Sequence, residues 1–346
     1  MSPDKISFNN LIEAVVDHGF CVGCGACEAV CPVDVIKLED YKPTLVGNCI
    51  ECGICYSNCP RTDFDISEMD TIIHGRNRKD SESLTGIYSE VYAAKAVPQD
   101  IQERAQDGGV VTALLTQFLA DGGDAVIVAG LEEDKAWVPK PVIAKTRMEV
   151  VNAAGTKYTP SSTLVGLKEA VKGQKLDKIA VVGTPCQITG LTRMTLGAKK
   201  NVKYGNAVDL KVGLFCMETF NHDRFMDYLT ENEVDASEVT KFEIKNGRFY
   251  AHNGDVRLHR ARLKKVKKLI RSCCAHCNDF ANELSDISVG NVGSEAGYST
   301  VLVRTDRGKQ ALTKAVDAGL IEIGPIEDFE KGESLVHKLA EMKRSH

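Results

Sequence analysis

At 346 residues, with 43 % hydrophobic and 26 % charged residues, the chain has the composition of a globular protein of two or three domains. A formal net charge of −5 is mild and argues against a general nucleic-acid binder. No run approaches the ~18 consecutive apolar residues of a membrane-spanning helix, so any membrane association is expected only through a partner.

Residues 1–17 read as a short amphipathic lead-in, with Asp4 and Glu13 and no apolar leader core. Thirteen cysteines without such a leader point to a reducing, cytoplasmic setting. Cys21, Cys24, Cys27 and Cys31 follow at spacings x2, x2, x3, with Pro32 next; Cys49, Cys52, Cys55 and Cys59 repeat the pattern before Pro60. This is the bacterial ferredoxin spacing, in which three thiolates of a run wrap one [4Fe-4S] cubane and the fourth reaches the other. It assigns Cys21, Cys24, Cys27 and Cys59 to a first cluster, and Cys49, Cys52, Cys55 and Cys31 to a second. A zinc module or disulfide framework is the alternative, but such sites rarely place three ligands at successive x2 spacing before a Cys-Pro end. Residues 18–62 are therefore expected to form a small two-cluster domain, with a short strand near Val33–Leu38.

Residues 63–85 offer little to bury and read as a linker. Beyond them strand-like and helical runs alternate: Tyr88–Ala96, helical Gly109–Ala120, Ala125–Ala129, helical Thr163–Lys172, Lys178–Val182, helical Pro185–Thr195, Asp209–Phe215 and helical His222–Asn232. Such alternation predicts an α/β domain over residues 86–346 with a largely parallel or mixed sheet. Asn246-Gly247 and Asn253-Gly254 sit between alternating segments and predict a small antiparallel meander. Strands at Ile287–Val289, Thr300–Arg304 and Ile321–Ile323, a helix Arg307–Ala318 and a terminal helix complete the pattern.

Five cysteines remain. Cys186 and Cys216 each end a predicted strand, where residues of an α/β sheet gather on the ligand-binding rim; Cys274 and Cys277 form a Cys-x-x-Cys, with Cys273 a spare neighbour. Cys186, Cys216, Cys274 and Cys277 are the candidate ligands of a third cluster. The alternatives are packing thiols and a zinc ribbon, and Cys273 competes with Cys274 as ligand.

Residues 85–320 resemble the family of β-subunits of coenzyme F420 hydrogenases and dehydrogenases. The resemblance is carried by Gln106–Thr112, Gly155–Tyr158, Gly183–Gln187, Gly213–Cys216, Cys274–Phe280 and Asp286–Gly293, in that order. It implies a bound FAD, coenzyme F420 as substrate, a cluster beside the flavin, and a redox partner complex of dehydrogenase, hydrogenase, or heterodisulfide or sulfite reductase type. The chemistry agrees: a deazaflavin exchanges hydride and clusters pass single electrons, so a flavin is needed between them.

No Gly-x-Gly-x-x-Gly opens a helix after a strand, which excludes a Rossmann dinucleotide site. Candidate flavin contacts are Gly108, Gly109 and Thr112 at a helix start, Lys157 and Tyr158, Thr184 and Gln187, and Asn291. Each has a plainer alternative as a turn, exposed loop or packing residue. Hydride transfer between stacked rings needs orientation rather than an acid or nucleophile, so no catalytic side chain is assigned. The basic run Arg257–Arg271 is either a solvated face or a landing strip for the coenzyme's acidic tail. Two rival functions remain: a ferredoxin-dependent reductase of another organic substrate, and a non-catalytic polyferredoxin-like electron-transfer subunit.

Overall fold

The computed structural model describes residues 5–345; residues 1–4 of the lead-in and His346 lie outside the described residues. The rest of the lead-in is helical from Phe8 to Val16, and it buries Phe8, Leu11 and Val15 against the cysteine loops. The loops are joined by a hairpin of β1 (Ile36–Glu39) and β2 (Lys42–Leu45). The expected linker contains a helix, Ile66–His74, capped by Asp65 and ended by Gly75 at φ 69°. Its Met69 and Asp70 are buried, and Arg78 pairs with Asp70 at 2.6 Å and with Glu283. Long-range ion pairs of this kind leave no local pattern, which is why the segment reads as having little to bury.

The larger region is built on β3 (Glu90–Ala96), β4 (Ala125–Leu131), β5 (Pro139–Ala144), β6 (Ile179–Gly183), β7 (Val208–Leu214), β11 (Ile287–Gly290), β12 (Ser299–Val303) and β13 (Ile321–Pro325). They form one mixed α/β sheet in the order β13-β3-β12-β11-β7-β6-β4-β5. Its centre, β4-β6-β7-β11, is parallel, and the flanking pairs are antiparallel. Strands β6 and β12 are buried at every position, as strands covered on both faces must be. The strands β8 (Lys241–Lys245), β9 (Arg248–Asn253) and β10 (Val256–Arg262) form the meander around a separate aromatic core of Phe220, Phe225, Phe242 and Phe249. Asn246-Gly247, at φ 50° and 69°, forms the first turn; Asn253 ends β9, and the second turn is Gly254-Asp255.

This topology sets the rim. The carboxyl ends of β6, β7 and β11 deliver Thr184, Cys216 and Asn291 to one side of the sheet. The 106–109 loop joins them there, since the Ala96 amide donates to the Gly108 carbonyl at 2.6 Å.

Candidate functional site

The cysteine loops are docked on the sheet domain by a shared apolar core, where Val22, Ala26, Ala29 and Val30 pack with Ile127, Leu164 and Ile188, and by polar contacts to backbone. The Leu164 amide donates to the Cys24 carbonyl at 3.0 Å, and the Tyr204 hydroxyl to Ala29 at 2.7 Å. Gly25 is required at its position: at φ 91°, a Cβ there would sit 2.7 Å from Val165 Cγ2 and 2.9 Å from its backbone nitrogen. Cations recur at the cysteine carbonyls. Arg193 donates to Cys59 at 2.6 Å, Lys199 to Cys52 at 2.8 Å, Lys172 to Cys31 at 3.3 Å and Arg271 to Cys21 at 3.3 Å. Arg271 thereby leaves the exposed basic run; Arg257, Arg260, Arg262, Lys264, Lys265 and Lys268 stay on the surface.

The thiols gather in three groups. Burial pushes Cys24 and Cys27 far above the ordinary thiol range, and Cys59 and Cys21 act on both as further negative charges. Cys55 is pushed up to about 11 by burial, then by Cys52, Cys49 and Cys31. Cys31, Cys49, Cys52 and Cys55 also line one cavity with Phe8 and Ile36. Burial raises Cys216, and its thiol neighbours are Cys186, Cys274 and Cys277. Cys273 hydrogen-bonds to Cys274, which lowers Cys274 and raises Cys273. Cys274 is among the thiols that act on Cys216, and Cys273 is buried beside it.

The groups are linked: Cys186 acts on Cys24, and Cys55 on Cys27. Among the described residues no three His, Cys, Asp or Glu side chains converge as a single ion requires. Half-buried sets of four thiols that repel one another when ionised suit a polynuclear iron group, which is wider than one ion and carries compensating positive charge. His276, inside the Cys-x-x-Cys, is exposed and packs its ring against Phe20, tilted by 54° with centroids 4.2 Å apart.

The candidate flavin contacts divide. Helix Val110–Ala120 starts at Gly109, φ 70°, without a side-chain cap, so its first amides are free for an anion. Gly108 is small for a different reason, since a Cβ would meet the Ser299 amide nitrogen at 2.6 Å and the Ala94 carbonyl at 2.7 Å. Thr112 is buried in the first turn. Asn291 hydrogen-bonds Asp107, whose carboxyl is raised by burial, so the two loops meet at the helix start. Lys157 is spent: its ammonium has three protons, and they reach the carbonyls of Ala153, Ala154 and Gly155 at 2.5, 2.9 and 3.0 Å. Gln187 is also spent, donating to Ser161 and Thr163 and accepting from the Thr184 amide at 2.8 Å. Thr184 places its hydroxyl 3.3 Å from Cys186 Sγ. Tyr158 accepts from the Ile244 amide and stacks on Phe220, tying the rim to the meander.

Two residues of this region were not singled out from sequence: Asp107, and Lys241, which donates to Gln106 at 3.1 Å. Asp107 lies inside the Gln106–Thr112 stretch, and that was its only signal. A polar groove lined by Lys178, Asp209 and Arg307 opens at the other ends of β6 and β7, away from every cysteine.

The chain is similar to known proteins along most of its length. A family model described as coenzyme F420 hydrogenase/dehydrogenase, beta subunit, N-term, matches residues 91–168, and its C-terminus counterpart matches residues 176–329. A 4Fe-4S dicluster domain matches residues 20–63. The chain is 36 % identical to a coenzyme F420 hydrogenase subunit beta from Methanothermobacter thermautotrophicus, over 75 % of this chain and 93 % of that one. A component of the F(420)H(2) dehydrogenase of Methanosarcina mazei is 30 % identical over 96 % and 92 % of the two chains. A chain of the F420-reducing [NiFe] hydrogenase complex from Methanosarcina barkeri superposes with a TM-score of 0.72 at 37 % identity, covering 76 % of this chain and 90 % of that one.

Proposed function

The chain belongs to the family of coenzyme F420 hydrogenase/dehydrogenase beta subunits and is an oxidoreductase of that kind, and from this premise we propose that it exchanges hydride with coenzyme F420 at a bound FAD and passes single electrons between that flavin and a partner redox complex. A bound FAD would convert hydride pairs into single electrons. The free first-turn amides at Val110–Thr112 would hold its pyrophosphate, with Asn291 and Asp107 bordering the same loop. Cys186, Cys216, Cys274 and Cys277 hold the third cluster in this reading, Cys21, Cys24, Cys27 and Cys59 the first, and Cys49, Cys52, Cys55 and Cys31 the second.

The observation that carries the reading is the unbroken succession of thiol groups. Cys186 touches the rim through Thr184 and acts on Cys24; Cys27 in turn feels Cys55. The second group opens beside Val33 and Ile50, which are 43 % and 57 % exposed. Such an apolar border at the outermost group suits a protein partner. Among the described residues no helix is long and apolar enough to cross a membrane.

An anaerobic stopped-flow mix of reconstituted chain, reduced F420 and a one-electron acceptor tests the reading. Flavin bleaching before cluster reduction, with about twelve irons per chain, supports it. Bound FAD that leaves reduced F420 untouched moves the substrate elsewhere, as in the rice 7-hydroxymethyl chlorophyll a reductase, 30 % identical over 75 % of this chain. Absence of FAD leaves an electron-transfer subunit. The exposed basic strip is the proposed contact for the coenzyme's acidic tail; coenzyme lacking its glutamates then shows a higher KM, and Arg260→Gln narrows that difference.

A further inference from the structure

Arg61 follows the Cys59–Pro60 end of the second run, yet its guanidinium serves another part of the molecule. Nη1 donates to the His276 carbonyl at 2.6 Å, and Nη2 to the Cys273 carbonyl at 3.1 Å. Both acceptors belong to the turn Ser272–His276 that carries Cys274 and leads into Cys277. Its Nε is buried without a hydrogen-bond partner. Its strongest charge partners are the thiols of Cys277, Cys186 and Cys273, and it also acts on Cys21 of the first group. Lys343, 4 % exposed on the terminal helix Gly332–Arg344, donates to the carbonyls of Met217 and Cys274 and acts on the thiols of Cys216 and Cys274.

Arg61 is half-buried, and a cation drawn partly out of water is costly unless a negative group offsets it. For Arg61 the offsetting groups are the Cys277 and Cys186 sulfurs, which would be thiolates when they hold a cluster. A cluster held by four thiolates gains one negative charge on reduction, and a fixed cation in a low-dielectric setting favours that reduced state. Resting on the three-cluster reading above, we propose that Arg61 is a potential-setting residue shared by the first and third clusters, and that Arg61 and Lys343 together raise the potential of the third so that it accepts electrons from the flavin singly. Because Arg61 comes from the cysteine-rich region, the third cluster reaches its working potential only when that region is docked.

The test is an EPR-monitored redox titration of the full chain, reconstituted anaerobically, with iron counted in every sample. Arg61→Gln is expected to shift the midpoints of the third and first clusters to more negative potential at full iron content. Arg61→Lys, which keeps the charge and loses the two-carbonyl fork, restores most of the shift. Lys343→Met moves the third midpoint alone. A residue that only clamps two segments would lower the melting temperature and leave the midpoints in place, and that result overturns the proposal. If Arg61→Gln does not retain its iron, Lys343→Met decides: an unmoved third midpoint at full iron is equally fatal. Wild-type chain holding only about eight irons ends the three-cluster reading, and this inference with it.

Discussion

The cysteine-rich region and the sheet domain are held together by different means. The first has a core of Phe8, Leu11, Val15 and Ile36, completed by the thiols Cys31 and Cys55. The second buries continuous strands such as Ile179–Gly183 and Ser299–Val303 between helices, a core that needs no metal. One region draws its order from covalent ligation and from docking, the other from hydrophobic burial. The contrast teaches that function-bearing spacing and fold-bearing pattern are separate properties of the chain, and each can be broken without the other.

The largest expected effect comes from removing iron. Anaerobic chelation should bring amide exchange in residues 20–63 close to unfolded rates, while the sheet strands keep their protection. Exchange followed by mass spectrometry checks this. Equal protection in both regions after iron removal would abolish the contrast. The converse experiment strikes the other side. Phe249 is fully buried and packs on Phe225, Phe242 and Tyr228. Phe249→Ala should cost about 3–5 kcal/mol in thermal unfolding of the aromatic core under the meander and leave the iron content unchanged.

The same contrast explains what was legible in the sequence. The cysteine runs were legible because cluster ligation imposes a spacing that nothing else requires. The meander was legible because Asn246-Gly247 and Asn253-Gly254 mark its turns. Strand β5 was not, since Pro139 and Pro141 argue against a strand unless it lies at a sheet edge, where β5 does lie. The helix Ile66–His74 had readable ends in Asp65 and Gly75, but its reason for folding, Arg78 reaching Asp70 and Glu283, is tertiary. Lys157 and Gln187 fit a ligand-binding role by type and position. Only the structure shows their donors already engaged.

Docking between the regions carries the next effect. Arg193 is buried and donates to the carbonyls of Ser57, Cys59 and Thr62 at 2.9, 2.6 and 2.8 Å. Arg193→Ala orphans these acceptors and should cost about 2–4 kcal/mol. Because the lost contacts sit on the cysteine-rich side, the same variant should release iron faster at fixed temperature. A variant that melts lower but keeps its iron as long as wild type would show that the regions are joined without being coupled.

The smallest effect separates two uses of a buried cation within the molecule. Arg193 spends donors on carbonyls of the cysteine-rich loops, whereas Lys157 spends all three on the loop after helix Arg147–Asn152. Burial lowers the Lys157 ammonium to about 8 from its ordinary value of 10.5. Folding therefore disfavours the charged form. Below about pH 8 both folded and unfolded chains hold the proton, and the full penalty applies. Between about 8 and the unfolded value the folded chain sheds its proton while the unfolded chain keeps it, so stability rises with pH. Relative to Lys157→Met, which has no proton to lose, the wild type should gain about 1–2 kcal/mol across that window. Paired denaturant titrations at pH 7.5 and 10 measure the gain. A bound phosphate beside Lys157 would hold the proton on and flatten the difference, so repeating the pair with FAD present distinguishes a structural lysine from a cofactor ligand.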